Sequence, residues 1–211
     1  MKKILLVAAI ALSTLTANAQ DKKESKGLQG AWFATAQVGY LQSKTGDLKN
    51  TNTTILPIVG TFVSPSVALG VGVGNISMKS EAVTKTTDAS LLVVQPLARK
   101  YYNVAGGLYF FGQAALPIIS GKEKVSDLKV NQFGVAISSG FDYFVTKSLS
   151  VEFSYNLVNF SQTTLTPKTG DKTTTTDFSL AHVATVDSSY NLSGAGVSLT
   201  TPLSFGFKFI F

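Results

Sequence analysis

The sequence predicts an all-β fold, an antiparallel up-and-down barrel of eight strands that crosses a membrane. Three observations predict it. Beyond Gln29 the apolar side chains recur with a period of two rather than 3.6, the signature of strands. Charged residues make up only 14% of the chain, yet no apolar run past the N-terminal one is long enough for a membrane-spanning helix. The connections between predicted strands alternate strictly between short and long. Lipid offers no partner to backbone N–H and C=O groups, so a strand-built chain enters a bilayer only as a closed barrel.

The N-terminus supplies the export route. Met1-Lys2-Lys3 is followed by an apolar run from Ile4 to Leu12 and then by small and polar residues ending in Ala17-Asn18-Ala19. A charged start, a short apolar stretch and an A-x-A site form a secretory signal peptide over residues 1–19, cleaved between Ala19 and Gln20. The absence of cysteine argues against a lipid anchor and leaves packing or membrane closure to hold the mature chain. Residues 20–30 read as a polar periplasmic tail, and residues 31–211 as the barrel. The formal charge of +6 includes Lys2 and Lys3, which leave with the signal. No Arg/Lys cluster remains that would suit a nucleic acid.

The strands are predicted at about 31–42, 53–63, 67–78, 89–101, 106–119, 129–146, 149–161 and 200–211. In the third, Val67, Leu69, Val71 and Val73 oppose Ala68, Gly70, Gly72 and Gly74. In the sixth, Phe133, Val135, Ile137, Phe141, Tyr143 and Val145 oppose small and polar residues. In the seventh, Leu149, Val151, Phe153, Tyr155 and Leu157 oppose Ser150, Glu152, Ser154 and Asn156. The last is the sharpest, with Leu203, Phe205, Phe207, Phe209 and Phe211 set against Ser204, Gly206, Lys208 and Ile210. The second and fourth are apolar on both faces, and Pro57 and Pro96 within them call for bulges or interrupted pairing.

Short connections fall at Ser64-Pro65-Ser66, Tyr102 to Ala105 and Lys147-Ser148. Longer polar ones fall at about 43–52, 79–88, 120–128 and 162–199. Short periplasmic turns and long extracellular loops are the pattern of an outer-membrane barrel, and an even strand count leaves both termini in the periplasm. The fourth loop, about 162–199, is rich in threonine and carries an amphipathic stretch from Phe178 to Val186. It extends the last two strands above the membrane, or it adds a hairpin and makes ten strands.

In a membrane barrel the apolar face meets lipid, while polar or small side chains fill the lumen. The aromatics Trp32, Tyr101, Tyr102, Tyr143, Phe144 and Phe211 gather near the periplasmic strand ends, and Tyr40 and Phe160 near the outer ends, as interfacial girdles. Four ionisable residues fall on the lumen face: Arg99, Asp142, Glu152 and Lys208. Each lies a few residues inside a periplasmic turn, so they share one layer. Buried charges need partners. Lys208 is expected to pair with Glu152 on the adjacent strand, with Arg99 and Asp142 extending a network that plugs the lumen. A gated ion path is the functional alternative.

Other motifs are weaker. Gly70-x-Gly72-x-Gly74 lacks the spacing and following helix of a phosphate loop. His182 is the only histidine and has no distinctive spacing to Ser179, Asp187 or Ser188, so a Ser–His nucleophile pair is unsupported. One histidine without cysteine cannot supply a usual transition-metal ligand set, and no cofactor is expected. The loop lysines are nearly balanced by loop carboxylates, which suits an ordinary solvated surface.

At this point a resemblance enters. Pro96-Leu97-Ala98-Arg99-Lys100-Tyr101-Tyr102, followed by Leu108-Tyr109-Phe110-Phe111-Gly112-Gln113, resembles the fourth and fifth strands of small outer-membrane β-barrel proteins common in Bacteroidetes. Phe141 to Leu149 and Leu203 to Phe211 are similar to that group too. The resemblance implies an eight-stranded barrel in the style of the OmpX and OmpA transmembrane domains. It also implies that Phe211 is the terminal aromatic read by the barrel-assembly machinery. Architecture does not fix function. The expected role is non-enzymatic, structural or in surface interaction. The extracellular loops would contact lipopolysaccharide, a neighbouring protein or another surface. A small pore is the first alternative, and a lipid-modifying barrel enzyme using His182 the second.

Overall fold

Residues 27–81, 86–180 and 203–211 are described in a computed structural model of the chain. The expected signal peptide with its Ala19–Gln20 cleavage site, most of the expected tail and His182 lie outside the described residues. Among the described residues, ten strands run in order: β1 (Trp32–Thr45), β2 (Leu48–Ser64), β3 (Val67–Glu81), β4 (Thr86–Ala105), β5 (Leu108–Ala115), β6 (Ile118–Glu123), β7 (Lys129–Phe144), β8 (Leu149–Thr166), β9 (Thr173–Leu180) and β10 (Leu203–Ile210). All pairings are antiparallel and form one sheet, closed where β1 meets β10.

The ten strands occupy eight positions in the wall. Pro117 has no N–H to give a ladder, and it splits the predicted fifth strand into β5 and β6. The two halves share the same neighbours. Both pair with β4 on one side and with β7 on the other. β9 and β10 likewise share β8: β10 pairs with Leu149 to Tyr155, and β9 with Val158 to Leu165.

Most of the expected outer loops are strand. Instead of a loop at 43–52, β1 and β2 continue to a tight turn at Gly46 (φ 59°) and Asp47, with Thr45 opposite Leu48. β3 reaches Glu81 and β4 begins at Thr86, which shortens the expected 79–88 loop. In the 120–128 segment β6 runs to Glu123. Of the 162–199 segment, β8 continues to Thr166 and β9 returns over Thr173–Leu180. Polarity suggested loop, but Thr and Asn-Thr runs such as Asn50 to Thr54 still suit a pleated ladder, because β-branched side chains favour it. The wall therefore rises above the apolar belt.

The outer face follows the sequence pattern. Val59, Val71, Val73, Phe141, Phe153, Phe205, Phe207 and Phe209 are exposed and clothe the wall in apolar surface. The inner face departs from it. A largely polar or small-residue lumen was expected. Instead Leu56, Leu91, Val93 and Ile119 are fully buried there, with Ile58, Ile76 and Val130 packed among them. Of these, Leu56, Ile58, Leu91 and Val93 come from β2 and β4, the strands that are apolar on both faces. Eight strands leave an interior just wide enough for side chains to fill, and apolar side chains fill it without needing partners. Gly60 marks how tight this is: a Cβ there would lie 2.4 Å from the Leu69 carbonyl oxygen and 2.4 Å from the Phe33 ring. Beneath the barrel, the turn from Gly27 to Gly30 is tied on by a bond from the Gly30 N–H to the Phe62 carbonyl (2.8 Å), and Leu28 packs against the core.

Candidate functional site

The lumen face of β4, read from the outside inward, is Ala89, Leu91, Val93, Gln95, Leu97, Arg99, Tyr101. Its last two side chains open the charged layer. Their odd-number parity places both on one face. Across the lumen, Asp142 of β7 stands directly opposite Glu152 of β8, and β10 brings Lys208 opposite Ser150 of β8. The fold thus gathers Arg99, Asp142, Glu152 and Lys208 from four strands into one layer, near the end of the barrel that carries Trp32 and Ile210.

Arg99 forms a two-pronged ion pair with Glu152: Nη1 bonds Oε2, and Nη2 donates to Oε1 at 3.0 Å. Its Nε and Nη2 also donate to Gln113 Oε1 at 3.0 and 2.6 Å. The guanidinium carbon lies 4.0 Å from the centroid of the Phe111 ring, a cation–π contact. Lys208 is bonded to Asp142, with both side chains at 0% exposure, and its Nζ lies 3.3 Å from Glu152 Oε2. Lys208 therefore divides its charge between two carboxylates, with Asp142 the nearer, rather than serving Glu152 alone.

Tyr101 stitches the two cations together. Its hydroxyl accepts from Lys208 Nζ at 2.9 Å and from Arg99 Nη1 at 3.2 Å. Expected among the girdle aromatics, it is instead 4% exposed inside the lumen. The reason is parity: it falls two residues after Arg99 on the same face, whereas Tyr102 points outward. Phe144, also expected in the girdle, packs against Tyr109 at 5.1 Å between centroids. Phe33, Phe62 and Tyr101 form an aromatic floor below the charges, at centroid separations of 5.9 and 5.5 Å. Sequence pattern marks Tyr101 only as a girdle aromatic, although it shares the face of Arg99, and it gives Gln113 no role.

With two cations and two carboxylates the layer is neutral. Asp142 Oδ1 and Ser150 Oγ have no hydrogen-bond partner despite full burial. Chemically the arrangement resembles a crossbrace: it links β4 and β5 to β7, β8 and β10 across the barrel. Among the described residues no cluster of His, Cys, Asp or Glu could hold a metal ion.

The sequence profile of the outer membrane protein beta-barrel domain matches residues 7–184. The chain belongs to this family. As an outer membrane protein beta-barrel domain it resides in the outer membrane, and its exposed Phe and Val rows are its lipid face. The crystal structure of the outer membrane protein OprG from Pseudomonas aeruginosa is similar to it at 13% identity and a TM-score of 0.47, over 89% of this chain and 99% of that one. No curated protein matches the chain. Phe211, just past the end of β10, is 75% exposed, and its backbone exchanges hydrogen bonds with Trp32 at 2.8 and 2.9 Å.

Proposed function

We propose that this protein is a sealed, non-enzymatic outer-membrane barrel that acts through the strands it raises above the membrane. The observation that carries the reading is the filled lumen. A charged crossbrace with Lys208 and Asp142 at 0% exposure lies below an apolar layer with Leu56, Leu91 and Val93 at 0%. Neither layer offers a water-filled path.

What remains available to partners is the outer rim. Phe160 of β8 faces Phe178 of β9, an aromatic pair suited to the outer membrane interface. Above it the hairpin is built of Ser161, Gln162, Thr163 and Thr164 against Thr174, Thr175, Thr176 and Asp177. The residues of β9 are mostly exposed, and a strand edge of this kind suits β-augmentation by an extended segment of a neighbouring protein. Rim lysines such as Lys122, Lys124 and Lys168 would meet lipopolysaccharide phosphates. Phe211 is the signal for the barrel-assembly machinery, and the four lumen residues serve structure.

Planar-bilayer recording of the purified, heat-modifiable protein tests the sealed barrel: no stable unitary conductance is expected, and a reproducible one would overturn it. Excising residues 167–180 tests the rim. The shortened protein should keep its heat-dependent gel shift and lose adhesion to surfaces that the full chain binds.

A further inference from the structure

Five residues stand in one row across five strands of the wall, near the end that carries the Gly46 turn. Ser77 of β3 pairs with Ser90 of β4, Ser90 with Lys122 of β6, Lys122 with Lys129 of β7, and Lys129 with Thr166 of β8. Parity sets the row on the outer face. Ile119 and Val130, of the opposite parity on β6 and β7, are buried in the lumen. Two lysines therefore lie side by side on the outside, with a hydroxyl on either hand.

The lysines meet at the closer kind of position. The Glu123 N–H donates to the Leu128 carbonyl at 2.8 Å, and the Gly134 N–H to the Pro117 carbonyl at 2.8 Å. Both bonds keep the Lys122↔Lys129 register. Hydrogen-bonded and open pairs alternate along an antiparallel ladder, so Lys122 and Lys129 form an open pair, with Cα atoms about 4.5 Å apart. Like charges directly opposite one another destabilise a sheet.

Nearby carboxylates do not relieve the repulsion. Asp88 pairs with Lys124 at 3.0 Å, Asp127 with Lys168 at 3.6 Å, and Glu81 with Lys79. Glu123 is buried and bonded within the β6–β7 turn. Among the described residues neither Lys122 nor Lys129 has an ion-pair partner, and both are exposed.

Height narrows what can fill the gap. Ile118 is the last apolar side chain on the outer face of β6, 47% exposed. Ser120, bonded to Asn131 at 2.9 Å, lies between it and Lys122. Four residues span about 13 Å along the strand, or about 10 Å along the axis of a tilted barrel. Lysine stems reach back down over such a distance. The ammonium groups thus stand among lipid headgroups, on the side that faces them.

We propose that Lys122 and Lys129 bracket a phosphate monoester of a lipid headgroup, the group that lipopolysaccharide presents in the outer leaflet. The proposal rests on placing this end of the wall at the outer rim, and it narrows the rim's lipid contact to one row. A phosphate monoester brings close to two negative charges and three acceptor oxygens at neutral pH, which match two ammonium groups; a carboxylate brings one charge and two oxygens. Ser90 and Thr166 flank the pair as further donors. Ser90 Oγ accepts from Asn75 Nδ2 at 3.0 Å, and its own O–H can still donate. The pair then destabilises the barrel without the lipid and stabilises it with the lipid bound.

The test uses the purified barrel in detergent, with diphosphoryl lipid A, dephosphorylated lipid A and inorganic phosphate as probes. Native mass spectrometry reads retention, and the temperature of the heat-dependent gel shift reads stability. The parent protein should retain the phosphorylated lipid in preference. Lys122→Gln/Lys129→Gln should weaken that retention about tenfold or more. Lys44→Gln/Lys49→Gln removes the same charge from the β1–β2 turn, several strands away, and should change it little. Without lipid, Lys122→Gln/Lys129→Gln should shift at a higher temperature than the parent, because the repulsion is gone. With the phosphorylated lipid the order should reverse. Equal weakening by the two double variants would overturn the pair as a site while leaving rim contact with lipid in place, and an unreversed order of shift temperatures would do the same. Displacement of the lipid by inorganic phosphate at equal concentration would overturn it by assigning the pair to a soluble anion. A parent protein with no preference for the phosphorylated lipid would overturn both the pair and the rim's contact with lipid phosphates.

Discussion

Asp142 and Glu152 stand directly opposite one another on β7 and β8, two carboxylates on the same inward face. Like charges so placed destabilise a sheet. Here Lys208 lies against both from the strand beside β8, and Arg99 braces Glu152 from β4, three strands away, each more than fifty residues distant in sequence from the carboxylates it meets. Replacing Lys208 leaves Asp142 buried without its counter-charge. Lys208→Met should therefore destabilise the barrel by about 3–5 kcal/mol, measured by urea unfolding in lipid vesicles. Adding Asp142→Leu should recover most of that loss, because the buried charge is then gone as well.

The fold was legible because alternation in β3, β7, β8 and β10 is strict, and a period of two admits few alternatives. The charged layer was legible for the same reason: Arg99, Asp142, Glu152 and Lys208 each break an otherwise small or apolar inward row. Partner choice was not legible. Whether Lys208 takes Asp142 or Glu152 depends on reach across a curved wall, which spacing along one strand does not encode. The apolar upper lumen escaped notice because β2 and β4 are apolar on both faces, and pattern alone cannot say which face turns inward. The tall strands are indistinct from loops in sequence, since Thr, Asn and Ser serve both.

Two inward glycines should behave oppositely. At Gly60 an added methyl collides with the backbone of β3 and with the Phe33 ring, whereas at Gly206 it meets nothing within 4 Å. Gly60→Ala should lower the temperature of the heat-dependent gel shift markedly, by an overpacking cost of about 1–3 kcal/mol. Gly206→Ala should leave that temperature unchanged.

The β6–β7 turn is held by one carboxylate. Glu123 accepts from the N–H groups of Asp88 (3.1 Å) and Val125 (3.0 Å) and from the Ser126 N–H and hydroxyl. Its covering by the turn works against the charge, but the Ser126 hydroxyl and these backbone donors outweigh it and hold the carboxyl at about 2. A depressed folded value means the stabilisation is present above the unfolded value of 4.5 and is lost as pH falls toward 2. Amide exchange at residues 124–128 should stay slow relative to a Glu123→Gln variant from neutral pH to about pH 4.5, then converge on it as acid is added.

Phe211 gives the assembly reading a direct test. Its side chain is exposed, so its loss costs little packing in the finished barrel. Removing Phe211 should leave refolding in detergent nearly unchanged while reducing the amount of protein reaching the outer membrane in cells. Equal losses in both would mean that the residue only supports the seam with Trp32.

Sealing by two stacked layers makes a distinctive prediction about conductance. If the charged crossbrace were the sole barrier, truncating it would open the lumen. Above it, however, Leu56, Leu91, Val93 and Ile119 are packed to 0–1% exposure, with Ile58 and Ile76 beside them. An apolar constriction excludes water and ions without any charge. The paired variant Arg99→Ala/Glu152→Ala, which removes an opposite-charge pair together, should therefore remain silent in planar bilayers. Stable openings should appear only when Leu91→Ala and Ile119→Ala are added to it. Conductance from the charge-layer variant alone would show that the apolar layer does not seal, and that the four charged residues are the whole barrier.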